Sequence, residues 1–167
     1  WEKSNPAIDH KELIATDSIC ARNVVGIQPF MVSTDYLSNQ HFYEKMKAYF
    51  EASKQAGYFN KNTVVLLPEY LGTWLVINNE KYSVAETKSI TGAMALMVLS
   101  NPVKFVQSFL LHQNEGDVVA ASIFRMKSET MAAIYADTFK ELAKTYQVTI
   151  NAGSIVLPGP SVENNDI

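Results

Sequence analysis

Cysteine is nearly absent from this chain. Of its 167 residues only Cys20 carries a thiol, so no intrachain disulfide can close and no thiolate cluster can hold zinc. A single unpaired cysteine fits a reducing compartment such as the cytoplasm. Glycine (7) and proline (6) are sparse, which excludes collagen-like, linker-like and low-complexity readings. A basic excess is missing too: 14 Lys+Arg against 17 Asp+Glu give a net charge of -3, without the polycationic footprint of a nucleic-acid binder. The three histidines, His10, His41 and His112, stand apart and form no HExxH pair, so no metal is expected. The GxGxxG, GxxxxGK[ST] and GxSxG patterns do not occur, which removes the usual dinucleotide, P-loop and serine-hydrolase sites and leaves no cofactor to expect. What is present is an ordinary globular mixture, 47% hydrophobic and 19% charged. A chain of this length buries about 70% of its unfolded surface in one core.

The ends read as those of a segment from a longer protein. The sequence opens on Trp1 and not on Met, its first residues do not have the charged-then-apolar pattern of a leader from which an address could be read, and a polar tail follows Pro158-Gly159-Pro160. Residues 1–22 show no sustained period and are expected to form an N-terminal arm, with residues 23–167 as the domain proper.

A strand is expected at Asn23 to Phe30, β-branched, apolar and buried. An amphipathic helix follows from Asp35, with Phe42, Met46, Tyr49 and Phe50 inward, Glu44, Lys45, Lys47, Glu51 and Lys54 outward, and Gly57 as its stop. Thr63 to Leu67 is continuously apolar, the pattern of a strand covered on both faces. A second helix is expected from Ser128, as N-cap, to Tyr146, feeding a third strand within Gln147 to Leu157. Alternating strands and helices make this an α/β chain with parallel crossovers. Between them Ile90 to Leu111 is mostly apolar, but residues 89–103 are the longest stretch between its lysines and Pro102 interrupts it. Such a run is too short and too broken to span a bilayer. Burial against protein is the expectation, and membrane contact through residues 90–111 is the less favoured alternative.

Glu69 is the one residue placed for acid-base chemistry. It follows a fully apolar strand and the rigid Pro68, at the edge where parallel strands end. Partial desolvation there suits a general base, although a strand-end carboxylate can equally cap a helix or pair with a lysine. Tyr70, Thr73 and Trp74 come next and are candidates for lining a substrate pocket.

Three stretches, in order, carry a resemblance: Val25-Gly26-Ile27-Gln28, Val65-Leu66-Leu67-Pro68-Glu69, and Glu141 to Ser154, which ends Asn151-Ala152-Gly153-Ser154. Together they resemble the opening landmarks of the nitrilase superfamily, the carbon-nitrogen hydrolases. The resemblance implies an α-β-β-α sandwich of which this chain is the incomplete first half, with an apolar insertion around residues 84–127. It also implies hydrolysis, or amide transfer, at nonpeptide carbon-nitrogen bonds of a small amide or nitrile, using a glutamate, a lysine and a cysteine. Glu69 matches the glutamate. The family's lysine and cysteine follow the Ala-Gly-Ser strand, whereas residues 155–167 contain neither, and Cys20 precedes the first landmark. The implied partners are therefore a C-terminal half or further copies in a homo-oligomer. The alternative is a noncatalytic nitrilase-like module serving assembly or regulation.

Overall fold

A computed structural model describes residues 22–111, 116–156 and 158. Most of the expected N-terminal arm, Cys20, His10, His112 and the polar tail lie outside the described residues. The molecule is mixed α/β, with three short parallel strands and a larger helical part. Strands β1 (Asn23–Gly26), β2 (Thr63–Leu66) and β3 (Thr149–Asn151) form one sheet in the order β1-β2-β3. The register aligns Val24 with Val64 and Thr149, and Val25 with Val65 and Ile150.

Helix α1 (Asn39–Gln55) connects β1 to β2. Two residues, Leu37 and Ser38, separate it from a 3₁₀ turn at Ser33–Tyr36, and Ser38 caps it by accepting the amide of His41 at 3.1 Å. Its end is a Schellman pair: Gly57, at φ +78°, donates to the Lys54 carbonyl and Tyr58 donates to that of Ser53. The expected stop at Gly57 therefore holds, with the left-handed backbone as its cause. Lys45 departs from the expected outward face. It is buried, with its Nζ 3.9 Å from the buried Asp35 carboxylate, so one charged residue shares the apolar side of the helix because a partner waits there.

Between β2 and β3 come α2 (Tyr82–Ala85), α3 (Ile90–Ser100), α4 (Pro102–Leu111) and α5 (Val118–Tyr146). The 29-residue α5 takes in the helix expected from Ser128 and, before it, a further apolar run at Val118 to Phe124, as one element about 43 Å long. Its N-cap is Asp117, which accepts the amide of Ala120 at 3.0 Å. Ser128 is buried mid-helix, its hydroxyl donating to the Arg125 carbonyl at 2.8 Å. No Gly or Pro separates the two apolar runs, so nothing breaks the helix where an N-cap was expected.

One core unites the molecule. Phe42, Met46 and Phe50 of α1 meet Met131, Tyr135, Phe139 and Leu142 of α5 over Val65 of the sheet. Phe42 and Phe139 meet edge-on at 6.1 Å and Tyr135 and Phe139 at 4.7 Å, geometries that aromatic quadrupoles favour. Among the described residues only one sheet face is covered. Val25 and Val65 turn toward the helices, whereas Val24 is 64% exposed, Leu66 41%, and Thr149 and Asn151 are also exposed. The expectation of buried strands covered on both faces is thus half met. Pleating sends alternate residues to opposite faces, and the described residues supply a layer for one.

Candidate functional site

Glu69 sits where the central strand ends. The ladder runs past β2, with Ile27 donating to the Leu66 carbonyl at 2.9 Å and Leu67 to that of Asn151 at 3.0 Å. Pro68 then ends it, having no amide hydrogen to give. Immediately after Glu69 the chain turns through Tyr70 at φ +62°, a left-handed conformation that an aromatic residue adopts only where its surroundings hold it there.

Those surroundings come from the loop after β3. Tyr70 donates its amide to Ser154 Oγ at 2.9 Å, and Gly72 donates to the Ser154 carbonyl at 3.4 Å. Gly153, at φ +79°, lies against the Pro68 carbonyl so closely that a Cβ on it would stand 2.2 Å from that oxygen. A Cβ on Gly72 would meet the Tyr135 ring at 2.7 Å. Tyr135 in turn donates its hydroxyl to the Ala152 carbonyl, tying α5 to the same loop. The Leu-Pro-Glu and Ala-Gly-Ser segments, far apart in sequence, brace one another on adjacent strands.

Beside this turn lies a cavity of about 370 Å³. Pro68, Glu69 and Tyr70 form one side, and Met31 and Tyr36 from the segment after β1 form the other. Leu71, Trp74 and Ile77 complete the wall at intervals of three, the repeat of the 3₁₀ turn Thr73–Ile77 and its lead-in. Thr73 falls off that side. It is not among the lining residues, and its amide donates to the Tyr70 carbonyl at 3.0 Å. Of the expected site residues, Glu69, Tyr70 and Trp74 share the cavity and Thr73 does not.

Glu69 itself is exposed, as are Tyr70 and, in about half its surface, Trp74. The partial desolvation expected of the carboxylate is absent within the described residues, because Pro68 carries it beyond the covered strands to the open cavity rim. The inner wall is drier. Burial, reinforced by the neighbouring Asp35 carboxylate, pushes the Tyr36 phenol well above the ordinary tyrosine value. Asp35 accepts the Val32 amide at 2.9 Å while facing Lys45, which fixes the segment that carries Met31 and Tyr36.

Neither this second wall nor the brace at Ser154 follows from local sequence pattern. Asp35 was readable only as the point where the hydrophobic period changes, and Ser154 only as part of a resemblance. Among the described residues no three His, Cys, Asp or Glu side chains gather as a metal site requires. A larger groove of about 570 Å³ lies between α1 and α5, where Tyr43 donates to Glu141 at 2.7 Å, and it shares no lining residue with the Glu69 cavity. No family model matches the chain, and no curated protein or solved structure matches it significantly.

Proposed function

We propose that this chain is the glutamate-bearing part of a carbon-nitrogen hydrolase of the nitrilase type, with Glu69 as its general base. The observation that carries the reading is the turn itself: a carboxylate at the end of the central parallel strand, on a strained turn braced from the neighbouring strand, at the rim of a largely apolar cavity. Parallel sheets gather ligands at the carboxyl ends of their strands, and a base must be held within hydrogen-bond reach of its proton. Tyr70 and Trp74 are the proposed substrate-lining residues. The uncovered sheet face, with Val24 and Leu66, fits the place where the second sheet of an α-β-β-α sandwich would pack.

In this mechanism Glu69 takes the proton of a cysteine thiol. The thiolate attacks the carbon of an amide or nitrile and a lysine stabilises the negative charge that develops on the substrate. Residues 155–167, which follow the Ala-Gly-Ser strand, contain neither a cysteine nor a lysine, and Cys20 precedes the first strand, so in this reading the thiol and the lysine come from polypeptide outside 1–167. With such a partner half docked over the cavity rim, the exposed Glu69 would lose solvent and gain the desolvated setting that suits a base.

A second reading, a noncatalytic assembly module, is favoured by one observation: the open sheet face and the exposed carboxylate lie on surfaces that a partner chain would cover. The deciding assay is amide and nitrile hydrolysis by the full-length protein and its Glu69→Gln variant, with folding matched by circular dichroism. Loss of about 10²-fold or more in the acylation step is expected, the usual effect of removing acid-base catalysis. Equal rates, or no turnover in either, would leave the assembly reading.

A further inference from the structure

Helices α3 and α4 present an apolar surface that no other described residue covers. The two meet at a 107° bend at Asn101-Pro102, and neither is long and apolar enough to cross a membrane. The bend is pinned from below: Asn101 donates to Glu80 Oε1 at 2.8 Å, and Glu80 pairs with the largely buried Lys127. On α4, Phe105, Ser108 and Phe109 turn toward the protein, with the two rings 5.8 Å apart. The rest of the helix faces out. At about 100° per residue, Val106, Leu110, Val103, Gln107 and Leu111 follow one another across an exposed arc of about 140°, and Lys104 stands at its edge. Leu99 at the end of α3, 76% exposed, extends the same kind of surface across the bend.

The charge pattern selects the occupant. From residue 87 to 111 there is no Asp or Glu, and the two charges, Lys88 and Lys104, are both positive and both exposed, in a chain whose net charge is -3. The first described carboxylate beyond is Asp117, engaged in capping α5. A two-fold contact between copies through this surface would set lysines against lysines with no carboxylate among residues 87–111 to pair them. An anionic bilayer surface suits both features, since exposed leucine and valine enter the headgroup and acyl boundary while lysines at the rim reach lipid phosphate.

We infer that the α3–α4 pair is a docking surface for anionic membrane, on which the protein lies without spanning. The burial of this stretch expected from sequence is met only on the side facing α5. The test is flotation of the full-length protein with vesicles of phosphatidylcholine alone or mixed with phosphatidylglycerol, at low and high salt. Salt-sensitive binding to the anionic vesicles is expected. Lys88→Gln with Lys104→Gln should weaken it about fivefold per lysine, and Leu110→Gln with Leu111→Gln about tenfold or more per leucine. The lysine variants alter only exposed side chains, so they report on docking even if the leucine variants fold poorly. Absence of binding, equal binding to neutral vesicles, or self-association abolished by the same substitutions would each overturn the inference, the last in favour of a second copy.

Discussion

Gly153 offers the sharpest test of how the Glu69 turn is held. Two separate effects act on Gly153→Ala. The first is conformational, because φ +79° costs a residue with a Cβ about 1–2 kcal/mol. The second is contact, because the new methyl would stand 2.2 Å from the Pro68 carbonyl oxygen, a backbone atom that cannot swing aside. Relieving such an overlap costs about 1–3 kcal/mol, and the atoms that must move are those that aim Glu69. Together they predict a loss of about 3 kcal/mol, a fall of about 6–12 °C in Tm for a chain of this size. Gly57→Ala separates the two effects, since Gly57 has nearly the same φ, +78°, and no atom within 4 Å of the position its Cβ would take. It should cost only the conformational part, about 1–2 kcal/mol. Gly26→Ala, unstrained and unobstructed, should change stability by less than that. The assay is urea unfolding of the three variants beside the parent, with hydrolysis measured on the same samples. If Gly153→Ala costs no more than Gly57→Ala, the contact with Pro68 is not tight and the proposed bracing of Glu69 fails with it.

Glu80→Ala removes the carboxylate that pairs with Lys127 and holds the Asn101 bend; leaving that lysine without its partner should cost about 3 kcal/mol, and hydrogen exchange should show α3 and α4 loosening first. A purely global loss with unchanged local protection would contradict the pinning role. Burial pushes the Tyr135 phenol up to about 12 from its ordinary value of 10. The folded state thus holds a proton that the unfolded chain releases, so the contribution is intact below pH 10 and disappears as pH rises toward 12. Urea titrations across that window should show stability falling, and less steeply in Tyr135→Phe; an identical slope in the variant would refute it. Trp74→Ala opens the cavity wall and should raise KM for an apolar amide about tenfold with a smaller effect on kcat, whereas Thr73→Ala should leave both nearly unchanged. Equal effects of the two would mean that the cavity is not where substrate binds.

Much of the scaffold is decided locally and was therefore legible from residue order. Two β-branched runs with an amphipathic helix between them dictate a parallel crossover, and Gly57 stops the helix because its own backbone turns left-handed. Pro68 ends the ladder by chemistry alone, so residue order suffices to put Glu69 at the strand end. Other features depend on neighbours distant in sequence, which no local pattern reports. Lys45 looks like a surface lysine until Asp35 is seen beside it in the core. Ser128 has the chemistry of an N-cap, yet it lies inside a helix whose first turn is set eleven residues earlier by Asp117. The left-handed Tyr70 depends on Ser154, 84 residues away, and only the pairing of β2 with β3 brings them within a hydrogen bond. The α3–α4 pair has the composition of a buried helix. Composition measures how apolar a segment is but not whether anything is left to cover it, and here the core closes over α1 and α5 first, leaving Val103, Val106 and Leu110 in contact with solvent.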